Sequence, residues 1–203
     1  MQLAERVLSR VKSPKTNSRL IPLMPCYAKV GIKNFMRRST GVDWNKIKVL
    51  AVCIFASYLA GIIGSAFTTE GIRSGWYETI KPEIAPPNYV FPIVWNILYI
   101  LIGISLYYAW GSAGKGEKKI VAALYGANLF LNALWSYFFF AIRELFIALI
   151  VLGLIWASIL GIMIFMWRIN KKATYLMLPY FLWVSFAGIL NYLAFKNSLL
   201  LTL

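Results

Sequence analysis

Residues 90–112 read VFPIVWNILYILIGISLYYAWGS and contain no Asp, Glu, Lys or Arg. A helix rises about 1.5 Å per residue, so about 20 apolar residues are needed to cross the roughly 30 Å hydrocarbon core of a bilayer. The stretch meets that length, and it therefore predicts a helix that spans a membrane.

Four further stretches of the chain satisfy the same criterion. They are Ile47–Phe67, with Lys48 placed at the interface, Ile120–Ile142, Leu145–Trp167 and Ala173–Phe195. Of the 203 residues, 60% are hydrophobic and only 14% are charged, which does not suit a soluble domain of this size. We predict an all-α membrane protein, a five-transmembrane-helix bundle over residues 46–198, followed by a short tail at 199–203.

Residues 1–45 form a basic N-terminal extension whose only acidic residues are Glu5 and Asp43. A composition poor in acids is typical of organelle-targeting segments, but it fits a disordered or surface-lying cytosolic tail equally well. Both interpretations stay open.

The net charge of +14 is distributed unevenly about the predicted bundle. Seventeen of the 21 Lys and Arg residues fall on the side of the amino terminus, and the other side holds Arg73, Lys81, Arg143 and Lys196. The positive-inside rule then predicts a cytoplasmic amino terminus, without saying which membrane hosts the protein. The net positive charge mostly reflects the orientation of the bundle in the membrane. We therefore expect the lipid bilayer, and not nucleic acid, as the partner of these cations.

The chain contains no histidine, which removes the commonest general base, metal ligand and haem ligand. We therefore expect no metal site and no obligatory cofactor. From Val49 onward the predicted spans contain no Asp, Glu, Lys or Arg. Ion-coupled pumps generally place such groups within the bilayer despite the energetic cost, so a pump is not expected.

Small residues recur every four positions in two of the spans. They are Ser57, Gly61 and Ser65 in the first span and Gly153, Ala157 and Gly161 in the fourth. Such spacing lets helix backbones approach closely in lipid. The two stripes fit packing within the bundle or a homodimer face.

Polar and aromatic side chains form stripes on the other three spans. The members are Pro92, Trp95, Asn96 and Tyr99 in the second span, Tyr125, Asn128, Asn132, Trp135, Ser136 and Phe139 in the third, and Tyr180, Trp183, Ala187 and Asn191 in the fifth. Amides facing lipid would lack hydrogen-bond partners, so the stripes should face inward. They are either interhelical contacts or the walls of an aromatic pocket.

The first connection, Thr68–Tyr89, is the longest between spans. Its run GWYETIKPEIAPPNY contains Pro82, Pro86 and Pro87, which restrict the backbone. We predict a stiff cap over one end of the bundle, with the role of a lid.

Motifs spread over residues 47–198 resemble those of the TspO/MBR family, the tryptophan-rich sensory and translocator proteins. They are WY at 76–77, KP at 81–82, PP at 86–87 followed by Trp95, LY at 98–99, LNALWSYFF at 131–139, Arg143, and LPYFLWVSFAGILNY at 178–192. Each motif is weak alone, whereas their order and spacing across five hydrophobic spans are specific.

The resemblance implies a five-helix bundle, often a homodimer, that binds tetrapyrroles such as protoporphyrin IX and haem, and also cholesterol. The positions it implies for ligand binding are Tyr77, Pro87, Trp95, Asn132, Trp135, Ser136, Trp183 and Ala187. Light-driven porphyrin breakdown in bacterial members is linked to tryptophans that match Trp95 and Trp183, which makes these two the candidate catalytic residues.

Near the carboxyl end, Leu190, Tyr192 and Lys196 fit the family's cholesterol-contact pattern. A Tyr and a Lys at a helix end also serve as interfacial anchors, so this pattern is only a sterol-contact candidate.

The function predicted on these grounds is a membrane receptor or carrier for tetrapyrroles, and secondly for sterols, in an aromatic pocket closed by the first loop. Two alternatives stay open: an enzyme that degrades porphyrin by photo-oxidation, and a small facilitative transporter or channel.

Overall fold

The computed structural model describes residues 43–201, and these residues are almost entirely helical. The helices are α1 (Trp44–Arg73), α2 (Trp76–Ile80), α3 (Val90–Ser112), α4 (Glu117–Ser136), α5 (Leu145–Ile169) and α6 (Lys171–Leu200), and a π-helical segment, Tyr137–Ile142, continues α4. Residues 1–42 of the predicted extension and 202–203 of the predicted tail lie outside the described residues.

Five of these helices are long and apolar enough to cross a membrane: α1, α3, α4 with its π-helical segment, α5 and α6. Each contains one of the predicted spans, which confirms the five-helix bundle. The helix α1 continues six residues beyond the predicted end at Phe67, so the predicted start of the first loop at Thr68 is wrong. The length criterion measures only the hydrocarbon core, and a helix can continue into the polar interface beyond it.

The helices pack as a closed ring in the order α1, α3, α6, α5, α4. The side chains of Ile102, Ile155, Ile159, Ile162 and Met166 are fully buried where α3 and α5 face the rest of the bundle. Pro179 lies inside α6 without ending the helix, and Pro179 is exposed. The tight core fills the half of the ring that contains α5 and leaves space on the side of α1.

Glycine and serine bring α1 and α3 into close contact. A Cβ atom added at Gly103 would lie 2.7 Å from the Cα atom of Ile54, and one added at Gly61 would overlap the ring of Tyr99. The Ser57 hydroxyl donates a hydrogen bond of 2.8 Å to the Tyr99 carbonyl. In-bundle packing is therefore confirmed for this part of the first small-residue stripe, whereas its last member, Ser65, is exposed.

The small-residue stripe of α5 behaves differently. Gly153 and Ala157 are exposed, and no described atom lies within 4 Å of a Cβ added at Gly153 or Gly161. Packing within the bundle is therefore the wrong interpretation of this stripe, because the buried face of α5 carries the larger Ile and Leu side chains instead. The homodimer face stays a prediction.

The π-helical segment interrupts the helix that the sequence predicts to be regular through Ile142. Its wider turn brings the rings of Phe139 and Phe140 to a centroid separation of 4.7 Å, and both rings are buried. The residue after the segment, Arg143, has a left-handed backbone conformation with φ of 64°. Single π turns are often associated with functional sites, and this one faces the cap.

The contact between α1 and α3 generates a testable expectation. Because the nearest atom to Gly103 is backbone, Gly103→Ala should separate the two helices and lower the free energy of unfolding by about 1–3 kcal/mol. Thermal unfolding in detergent measures this as a lower melting temperature. Gly111→Ala is the matched control, since Gly111 lies in the same helix with no atom within 4 Å of its Cβ position. Equal melting temperatures for the two variants would contradict the packing.

Candidate ligand-binding cavity

A cavity of about 450 Å³ lies between α1, α3, α4 and α6, beneath the loop that joins α1 to α3. Its volume falls within the range of small-molecule sites, roughly 300–1,000 Å³. The loop contributes Tyr77, Pro82 and Asn88 to the lining, so it occupies the position of the predicted cap.

Aromatic rings form two of the cavity walls. On α3, the rings of Trp95 and Tyr99 stack with a centroid separation of 5.5 Å and an interplanar angle of 29°. On α4 and the π-helical segment that continues it, the rings of Trp135 and Phe139 lie 5.1 Å apart. All four residues line the cavity, and such surfaces suit a flat apolar ligand.

A buried hydrogen-bond network closes the inner end of the cavity. The Asn132 Nδ2 atom donates to the Tyr180 hydroxyl and, at 3.1 Å, to the Asn128 carbonyl. The Tyr180 hydroxyl donates to Asn128 Oδ1 at 3.2 Å, and Asn128 Nδ2 donates to Ser158 Oγ at 2.8 Å. The network links α4, α5 and α6, which fixes the orientation of the Asn132 amide.

A second amide holds the α4 wall in place. The Trp135 Nε1 atom donates to Asn191 Oδ1 at 3.0 Å, and Asn191 Nδ2 donates to the Leu145 carbonyl at 3.0 Å. Asn191 is 1% exposed and lines the cavity. It belongs to the predicted stripe of the fifth span but not to the predicted binding residues, so the stripe was the signal that could have identified it.

Several polar groups in the lining are available to a ligand, among them a hydroxyl and an amide on α4. Among the described residues, neither the Ser136 hydroxyl nor the Asn132 Oδ1 atom forms a hydrogen bond within the protein. The Asn132 oxygen can only accept a hydrogen bond, whereas the Ser136 hydroxyl can donate or accept. The cavity therefore pairs large apolar walls with a few oriented polar groups.

Helix α1 supplies a wall that the sequence analysis did not assign to the site. Its contribution includes Gly61, Gly64, Ser65, Thr68 and Thr69. The Thr68 and Thr69 hydroxyls donate to the carbonyls of Gly64 and Ser65 on their own helix. In a sequence, small and hydroxyl residues at this spacing indicate helix packing. The pattern therefore did not identify α1 as a wall of the cavity.

Aromatic contacts attach the cap to the bundle. The Tyr77 ring lies 6.2 Å from Phe139 and 6.0 Å from Phe140, and the Trp76 ring lies 6.0 Å from Phe139. The Asn197 Nδ2 atom on α6 donates to the Ile80 carbonyl at 3.2 Å. The short helix α2 is thus fixed to both α6 and the π-helical segment.

Charged residues brace the cap beside the cavity. The Lys81 ammonium donates to Asn88 Oδ1 at 2.7 Å, Asn88 Nδ2 donates to Glu78 Oε1 at 2.6 Å, and the Lys81 Nζ atom lies 3.9 Å from Glu78 Oε2. Burial, together with the Glu78 carboxylate, raises the pKa of Tyr77 to about 12. The Tyr77 hydroxyl therefore stays protonated at neutral pH and remains a hydrogen-bond donor.

The residues that line the cavity carry no formal charge in the part of the chain that the structure describes. Lys81 contacts the lining residue Asn88 from behind. Arg143 is directed to the outside of the cap, where its guanidinium donates to Ser74 Oγ at 3.2 Å and lies 5.2 Å from the Trp76 ring centroid. A ligand in the cavity meets neutral groups only.

Six of the eight predicted binding residues meet at this cavity. They are Tyr77, Trp95, Asn132, Trp135, Ser136 and Ala187. Pro87 is exposed and lies outside the lining, whereas the neighbouring Asn88 belongs to it. Trp183 is also outside the lining and packs edge-on against Phe91, a lining residue, at 5.9 Å.

Trp183 nevertheless shows one unusual feature. Its indole Nε1 atom is buried and has no hydrogen-bond partner among the described residues. Buried polar groups almost always have a hydrogen-bond partner. This N–H is therefore an unusual donor, and its indole ring contacts a residue that lines the cavity.

The three residues of the sterol-contact candidate do not share one surface. Leu190 is buried and lines the cavity, whereas Tyr192 and Lys196 are exposed on the outside of α6. One flat ligand cannot contact all three side chains at once in this arrangement.

Removing the Asn191 amide tests its structural role. Asn191→Leu keeps a similar volume but leaves Trp135 Nε1 and the Leu145 carbonyl without partners, which should lower the free energy of unfolding by about 1–3 kcal/mol per orphaned group. Thermal unfolding followed by near-ultraviolet circular dichroism measures the loss. Asn96→Leu is the control, because that amide is exposed and bonds only to the Pro92 carbonyl of its own helix. A stability unchanged from wild type in Asn191→Leu would contradict the assigned contacts.

Comparison with known proteins shows which family the chain belongs to. The chain is 37% identical to the tryptophan-rich protein TspO of Chlorobaculum tepidum, over 72% of this chain and 94% of that protein. It is 34% identical to the TspO of Archaeoglobus fulgidus, over 73% and 95%, and 32% identical to the human translocator protein, over 70% and 86%. The model of the TspO/MBR family matches residues 51–196, and the chain belongs to that family.

Proposed function

We propose that this membrane protein acts as a receptor or carrier that binds a tetrapyrrole, protoporphyrin IX or haem, in the cavity beneath the cap. The observation that carries the proposal is the cavity itself, an aromatic-walled volume of about 450 Å³ with uncharged lining. The family relation supports a receptor or sensory role for the chain. No cofactor is required for sequestration of this kind.

The binding mode follows from the two aromatic walls. The macrocycle lies between Trp95 on α3 and Trp135 on α4, with Ala187 providing space on α6. Aromatic pairs contribute about 0.5–1.5 kcal/mol beyond area burial. Ser136 and Asn132 then orient the edge that reaches the inner end.

The charge of the ligand determines which edge remains at the cap. Burying a carboxylate among neutral groups is costly unless a cation accompanies it. The propionates of a porphyrin therefore stay near Asn88, where Lys81 is the bonded cation, and the carboxylate-free edge points inward.

The arrangement also suggests how the cavity extends. Phe91 separates Trp183 from the cavity, and the Trp183 indole N–H is unpartnered. Rotation of the Phe91 ring would join this donor to the binding volume, so Trp183 serves as a second contact for a ligand larger than the resting cavity.

A sterol is the second proposed ligand. Its flat ring system suits the same apolar walls, and Leu190 is the one member of the sterol-contact candidate that faces the cavity. Tyr192 and Lys196 would meet a sterol only from the bilayer side.

Fluorescence quenching tests the tetrapyrrole site. In detergent, protoporphyrin IX should quench tryptophan emission saturably, and Trp95→Phe should remove a large share of the quenching, because Trp95 lines the cavity. Trp183→Phe should have a smaller effect, since Phe91 lies between. The measurement is a titration of each variant at equal protein concentration.

Trp167→Phe provides the control, because Trp167 is exposed on α5 near the end opposite the cap. Equal quenching losses in all three variants would contradict the site. A porphyrin absorption band that decays under light and oxygen, dependent on Trp95, would instead favour the porphyrin-degrading enzyme.

A further inference from the structure

The end of the bundle opposite the cap carries a group of cations around the α3–α4 and α5–α6 connections. We call this group the basic collar: Lys115, Lys118, Lys119, Arg168, Lys171 and Lys172. The one acidic residue within these connections, Glu117, accepts a hydrogen bond of 2.7 Å from the Gly114 backbone. The collar therefore has an excess of positive charge.

The cap end has a different balance. Its cations Arg73, Lys81, Arg143 and Lys196 are matched in number by Glu70, Glu78, Glu83 and Glu144. Among residues 43–201, no collar cation lies within 4.0 Å of a carboxylate, whereas Lys81 at the cap does. The collar charges are uncompensated within the described protein.

Three collar lysines sit on aromatic rings. The ammonium of Lys118 lies 5.3 Å from the Trp110 ring centroid, that of Lys171 lies 5.3 Å from Trp167, and that of Lys172 lies 6.0 Å from Tyr108. Trp and Tyr at the ends of membrane helices sit at the level of the lipid headgroups. The rings therefore place these three ammonium groups at headgroup height.

The position of these lysines is unfavourable for the helices themselves. Lys118 lies in the first turn of α4, and Lys171 and Lys172 lie in the first turn of α6. The amino-terminal end of a helix carries the positive end of its dipole, where a cation is disfavoured. An anion outside the protein would offset both the dipole and the lysine charge.

We propose that Lys118, Lys171 and Lys172, each with its aromatic ring, form binding stations for anionic phospholipids of the leaflet at this end. The phosphate contacts the ammonium, and the acyl chains descend along exposed apolar side chains such as Ile120 and Ile164. The partner is a lipid and not a free anion, because the stations lie at the end of a bundle whose helices are long and apolar enough to span a membrane.

The positive-inside rule alone makes a different prediction. If the collar only set topology, all of its cations would attract anionic lipid to a similar degree. The stations instead make Lys118 and Lys172 more important than Lys115 and Lys119, which have no aromatic partner among the described residues.

Lipid retention distinguishes these cases. The full chain is reconstituted in vesicles with phosphatidylcholine in excess over phosphatidylglycerol and is extracted in mild detergent, and the lipids that remain bound are quantified by mass spectrometry. Wild type should retain phosphatidylglycerol well above its bulk fraction. Since one lysine near an anionic surface is worth about a fivefold change in affinity, Lys118→Gln with Lys172→Gln should lower this enrichment severalfold, and the part that remains belongs to Lys171 on Trp167.

Two variants with the same loss of charge complete the experiment. Lys115→Gln with Lys119→Gln removes two collar cations without rings, and Arg73→Gln with Lys196→Gln removes two cations at the cap end. Both should keep most of the enrichment, and circular dichroism verifies that all variants are folded. Retention at the bulk fraction by wild type, or equal losses in the two collar variants, would overturn the proposal.

Discussion

Inside a bilayer, a polar side chain that does not reach a partner in the protein has no water to replace it. The amides of Asn128, Asn132 and Asn191 must therefore turn away from lipid, and each is buried within the ring of helices. Their hydrogen bonds to Tyr180, Ser158 and Trp135 fix how α4, α5 and α6 are rotated about their axes. That rotation brings the aromatic stripes of α3 and α4 to one cavity.

The cavity depends equally on the small residues that α1 contributes to its lining. Glycine and serine allow this helix to touch α3 at Gly103 and Ser57, and their small side chains leave volume beside Gly64 and Thr68. The cap then closes the space through the rings of Tyr77 and Phe139. One end of the bundle thus holds the cavity, while the other end concentrates positive charge around the α3–α4 and α5–α6 connections.

The sequence was sufficient for the helices and for six of the residues that line the cavity. Apolar length identifies a span because the bilayer thickness is fixed, and an amide repeated at helical spacing, such as Asn132 or Asn191, identifies the inward face. The sequence could not predict which side chains stand between others and the cavity. Trp183, for example, packs against Phe91 and lies outside the lining, and this position is determined by tertiary packing. The exposure of the small-residue stripe at Gly153 could not be predicted for the same reason. Composition alone does not distinguish small residues that pack against a neighbouring helix from small residues that do not.

The central proposal is that a planar ligand binds in the cavity beneath the cap. A structure of the protein soaked with protoporphyrin IX tests this most directly. We expect density for the macrocycle between Trp95 and Trp135, with its carboxylate edge toward Asn88. Density on the outer surface of α6 at Tyr192, with the cavity filled by the protein's own side chains, would contradict binding in the cavity.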